Sequence, residues 1–75
     1  MKTKIVKLAD IRISRRMKRS MPRAEKIEEK YSFYRRTGRF QVPIVCNKYL
    51  FLKDGYITYL LAKMFEFEDV VVILE

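Results

Sequence analysis

The chain has 75 residues, 49% of them hydrophobic, with a formal net charge of +8, one cysteine and no histidine. That length supports one small domain, spanning 1–75, and the apolar content sets it apart from disordered sequences. Without histidine there is no histidine-based triad, general base or metal ligand, and the single Cys46 excludes an internal disulfide and fits a reducing compartment.

The charge is unevenly placed. Residues 1–39 hold 14 Lys/Arg against 4 Asp/Glu, a net +10, whereas residues 40–75 hold 3 against 5, a net −2. Such asymmetry points to a polyanionic partner, set against the plainer reading that the charge serves solubility. The N-terminus lacks the apolar core of a signal peptide, and the run "VVVIL" is too short to cross a bilayer. The expectation is a soluble, cytoplasmic protein that does not contact membrane.

In chain order, "TKIVKL" alternates like a short strand, Thr3 to Leu8, with Ile11 and Ile13 tucking in after it. "RISRRMKRSMPR" has no usable periodicity and reads as a basic loop up to Pro22. Ser20 before Met-Pro then predicts a helix start, and Ala24, Ile27, Tyr31 and Tyr34 form one helical stripe over about 22–37. Early glutamates and late arginines complement the helix dipole, and Gly38 closes the helix as a left-handed cap.

"FQVPIVCN" predicts a short buried strand with Pro43 at its start, and Asn47-Lys48 a turn into a second strand, "YLFL". The Asp54-Gly55 pair that follows fits either a hairpin or a helix start. Ile57, Leu60, Leu61 and Met64 fall on one helical face and Asp54 is a favoured N-cap, so the pattern favours helix. The β-branched tail "EDVVVILE" suits an interior strand covered on both faces. The expected fold is α+β, a small mixed sheet with two main helices in the order β-α-β-β-α-β.

Taken together, "VPIVCNKYLFLKDGYITYLLAKMFEFEDVVVIL" resembles the second half of the ParB N-terminal domain, the fold shared with sulfiredoxin, and "KIVKLADIRIS" resembles its opening strand and turn. The resemblance implies a helix from Tyr56, with the basic loop bordering the family's ligand site opposite the glycine turn. It also locates two departures. The family's phosphate-binding signature is glycine followed three residues later by arginine; Gly55 matches the glycine, but Thr58 stands at the arginine position. In sulfiredoxins the residue after the glycine is the catalytic cysteine, and here it is Tyr56. Tyr56 at the cysteine position excludes sulfiredoxin chemistry, and threonine, which does not replace the charge or the bidentate geometry of arginine, counts against the nucleotide hydrolysis of some ParB proteins.

Arg12, Arg15, Arg16, Lys18, Arg19 and Arg23 are the candidate phosphate-contacting residues, because clustered cations repel and a polyanion relieves that repulsion while releasing its counterions. A second candidate is an anion site at the helix start, made by the N–H groups of Gly55, Tyr56 and Ile57 with the Thr58 hydroxyl, opposed by the negative charge of Asp54. Among the aromatics, Tyr31 and Tyr34 lie on the core stripe, Phe33 lies beside Arg36, and Tyr56 with Tyr59 form a face for a base, a protein partner or a homodimer. Cys46 reads as a buried structural thiol, and the scattered carboxylates lack metal-site spacing.

The resulting expectation is a non-enzymatic nucleic-acid-binding accessory protein, with DNA as partner, no cofactor and no metal. The alternatives are a protein-interaction or regulatory module that has lost the family's nucleotide site, and a residual nucleotide binder in which loop arginines stand in for the one absent at Thr58.

Overall fold

A computed structural model of the chain describes residues 2–75. Four strands, β1 (Lys2–Lys7), β2 (Ile44–Cys46), β3 (Leu52–Asp54) and β4 (Asp69–Leu74), form one sheet in the order β1-β4-β2-β3. β4 runs antiparallel to β1 and parallel to β2, and β3 is antiparallel to β2, so the sheet is mixed, as expected. Three helices accompany it: α1 (Arg15–Arg19), α2 (Ala24–Thr37) and α3 (Tyr56–Met64), with a single 3-10 turn at Leu8–Asp10.

β4 takes the interior position that its β-branched run predicts, but it is covered on one face only. Val70 and Val72 are buried with Val6, Ile44 and Cys46, whereas Val71 on the opposite face is 61% exposed. A strand of alternating side chains has one core face here because the helices lie on one side. Strand edges shift slightly from expectation, β1 ending at Lys7 and β3 starting only at Leu52.

The expected loop between residues 12 and 22 contains a helical turn. The Ser14 hydroxyl accepts the Met17 N–H at 3.2 Å as an N-cap, Met17 packs against the core, and the Ser20 N–H closes the turn on the Met17 carbonyl at 3.1 Å. Ser20 therefore ends α1 instead of starting the next helix, and Arg23 occupies the N-cap of α2. At the other end of α2, Gly38 adopts φ +73° and its N–H bonds the Tyr34 carbonyl at 2.7 Å, the left-handed cap expected there.

α3 buries Thr58, Leu61 and Ala62; of the predicted stripe Ile57, Leu60, Leu61 and Met64, only Leu61 is fully buried, Ile57 and Leu60 are half-buried and Met64 is 57% exposed. The helix starts with Gly55, not Asp54, as its N-cap. α3 ends in a Schellman motif with the Phe67 N–H on the Ala62 carbonyl (2.9 Å) and the Glu66 N–H on the Lys63 carbonyl (3.1 Å). That closure sends Phe65 and Phe67 back to Tyr34, with ring centroids at 5.0 and 6.4 Å, and so ties α2 to the end of α3.

Candidate functional site

The basic segment is held on ordered backbone. Arg12 donates its N–H to the Leu50 carbonyl at 2.8 Å and accepts the Leu52 N–H at 2.9 Å, which fixes it beside β3. Ile13 and Met17 then pack on the core, and this anchoring turns Arg15, Arg16, Lys18 and Arg19 outward. Arg12 and Arg23 are exposed as well. Farther on, the Tyr56 hydroxyl donates to the Met21 sulfur at 3.5 Å, so the segment returns to the first turn of α3. That contact brings Met21, two residues before Arg23, to the Tyr56 side chain.

None of the six cations has a carboxylate partner. Among the described residues the one ion pair is Lys53 with Glu75, at 3.3 Å between exposed side chains. Such a pair contributes little to stability. The cations of 12–23 hold their positions through backbone and apolar contacts, and apart from Arg12, whose guanidinium lies over the Phe51 ring, their charged ends meet no partner within the described fold.

The glycine turn is built differently. Gly55 has φ +83°, and a Cβ there would run into the Pro43 carbonyl oxygen and lie 2.9 Å from the Ile44 Cα. Its N–H donates to the Asp54 carboxylate at 2.8 Å. Thr58 is 5% exposed and its hydroxyl donates to the Val42 carbonyl at 2.6 Å. A hydroxyl has one proton to donate. The expected role of Thr58 as an anion ligand is therefore corrected: the side chain fastens α3 to the chain before β2. With the Gly55 N–H held by the Asp54 carboxylate, two of the four groups expected at the helix start already have partners within the fold.

Tyr56 and Tyr59 stand 6.3 Å apart between ring centroids and are half-buried against the core, so each ring shows the surface only a part of itself. Tyr31 and Tyr34 pack on Phe65 as the helical stripe predicts, whereas Ala24 of the same stripe is exposed. Phe33 lies under the Arg36 guanidinium at 5.8 Å. Cys46 is fully buried, and burial pushes its thiol pKa up, away from the thiolate that reactivity requires. Among the described residues no three His, Cys, Asp or Glu side chains gather as a metal site, and no helix is long and apolar enough to cross a membrane.

An apolar groove of about 830 Å³, lined by Ile5, Val71, Tyr34 and Phe40, reaches Val42, Pro43 and Thr58 beside the glycine turn but includes no residue of 12–23. The sequence reading misses two features of the basic surface. One is α1, signalled by Ser14 three residues before the core-facing Met17. The other is the extent of the loop after β2: the expected Asn47-Lys48 turn is there, but the Asn47 side chain accepts the N–H groups of both Tyr49 (2.9 Å) and Phe51 (3.0 Å), and β3 starts only at Leu52.

No family model matches the chain. No curated protein matches it either. Solved structures do, among them two ParB N-domains. One is the C2221 form of a Pnob8-like ParB-N domain, with a TM-score of 0.79 and 18% identity over 97% of this chain and 29% of that one. The other is a pNOB8-like ParB N-domain, with a TM-score of 0.77 and 19% identity over 97% of this chain and 26% of that one. The chain therefore spans less than a third of the length of the solved chains it matches. Identity this low carries the architecture and nothing further, and on that basis the chain has the fold of the ParB N-domain.

Proposed function

We propose that this protein is a non-enzymatic nucleic-acid-binding accessory protein that contacts phosphates through Arg12, Arg15, Arg16, Lys18, Arg19 and Arg23. One observation carries the reading: six exposed cations on anchored backbone, without an acidic partner among the described residues. Their mutual repulsion opposes folding, and the arrangement gains free energy when a polyanion arrives and releases counterions. The likeness to ParB N-domains agrees with an association with nucleic acid without specifying its form.

The test is a salt titration of binding to a 20-base-pair DNA duplex. If all six cations engage phosphates, affinity falls by about 10³-fold between 50 and 200 mM salt. Absence of binding at low salt would reduce the charge to a matter of solubility and overturn the reading.

A second reading, a protein-interaction module, rests on Ile5 and Val71, which are paired in register and both exposed on the open sheet face. An apolar partner surface would cover them. Sedimentation of the isolated chain together with unchanged salt-independent behaviour toward DNA would favour it.

A further inference from the structure

The aromatic side chains that stand most exposed are not those on α3. Tyr49 is 64% exposed and Phe51 37%, both on the loop between β2 and β3. Packing does not account for them, since neither belongs to the core nor to the aromatic cluster around Tyr34. Each has a cation over its ring: Lys48 Nζ lies 5.2 Å from the Tyr49 centroid, and the Arg12 guanidinium 5.7 Å from that of Phe51.

The loop is held rigid from within and from the side. Asn47 accepts the N–H groups of Tyr49 and Phe51 through its side chain, and its own N–H donates to the Phe51 carbonyl at 3.0 Å. Leu50 turns inward with φ +65°, a left-handed conformation unfavourable for leucine, and packs against the core. Its carbonyl accepts the Arg12 N–H. Leu50 inward sets its two neighbours outward, and the same hydrogen bond joins the loop to the first residue of the basic segment.

We infer that this loop is a stacking platform for unpaired bases, and that the preferred ligand is a single-stranded nucleic acid whose phosphates follow the basic segment. The inference rests on the phosphate-contact reading above and adds the strand type to it. Exposed aromatic faces beside cations are what sequence-tolerant binding of single strands requires, because every base has a face to stack and a duplex keeps its bases stacked on one another.

The chain contains no tryptophan, so Tyr49→Trp introduces a unique fluorophore at the platform. With a 20-nucleotide oligo(dT), its emission is quenched on binding, while a 20-base-pair duplex leaves it nearly unchanged. Tyr49→Ala weakens oligo(dT) binding about tenfold, leaves duplex binding and the salt slope as they were, and is rescued by Tyr49→Phe. Equal affinity of Tyr49→Ala and the parent for oligo(dT), or equal losses on both ligands, overturns the platform while leaving the phosphate reading standing. Failure of the parent chain to bind either ligand at low salt overturns both.

Discussion

The first turn of α3 lies between two stretches that treat their polar groups in opposite ways. Around Gly55 the polar groups are used within the fold: its N–H meets Asp54, Thr58 is bonded to Val42, and the Pro43 carbonyl fills the space where a side chain would stand. Along 12–23 the backbone is fixed at Arg12 and through α1, yet the charged ends meet no carboxylate among the described residues. A resemblance based on the glycine turn directs attention to the first stretch. The geometry favours the second as the place where a ligand adds something the fold lacks.

The contrast breaks most sharply at Gly55. In Gly55→Ala a Cβ collides with the β2 approach and the residue keeps an unfavourable positive φ, so urea denaturation should show a loss of about 3 kcal/mol or more. Thr58→Val leaves the Val42 carbonyl unsatisfied in a buried place. It should cost about 1–3 kcal/mol in the same measurement, with DNA affinity unchanged. Loss of DNA binding in a folded Thr58→Val protein would return that residue to the ligand site.

A smaller effect of opposite sign is expected at Glu66, which holds φ +60° at the position where a Schellman motif favours glycine. Glu66→Gly should raise stability by about 1 kcal/mol, seen as an upward shift in melting temperature. It leaves the basic surface untouched, so DNA binding serves as its control.

The smallest effect concerns pH. Burial raises the Cys46 pKa in the folded state, so the folded protein keeps its thiol proton after the unfolded chain has lost it. That contribution to stability is complete below the unfolded thiol pKa of about 8.5 and is lost as pH rises through the higher folded value. Cys46→Ala should therefore show a shallower fall in stability above that pH than the parent, measured by urea denaturation at a series of pH values.

The sequence carried most of the sheet and both long helices, because those depend on local signals: alternation in β1, the glycine cap at Gly38, the β-branched run of β4. It was less informative where tertiary packing decides. On α3 the buried face includes Thr58, whose hydroxyl bonds the Val42 carbonyl, and no hydrophobic period shows that a threonine lies inside. α1 was hidden because its single apolar residue, Met17, gives no period to read, though Ser14 at capping distance is a signal in retrospect. The one-sided covering of β4 was not legible either, since a run of valines looks the same whether one face is covered or two. For the site, the identities of the six cations were plain in the sequence, while their anchoring by Leu50, Leu52 and the core required the fold.

The central claim is that the cations of 12–23 are placed for phosphates and not for the fold. The direct measurement is the salt dependence of duplex binding for the parent and for a variant carrying Arg15→Ala, Arg16→Ala and Arg19→Ala, with melting temperatures recorded on both. The account predicts that the slope of log affinity against log salt becomes shallower by roughly 2.7, about 0.9 for each phosphate contact removed, while the melting temperature stays level. An unchanged slope in the folded triple variant would contradict it.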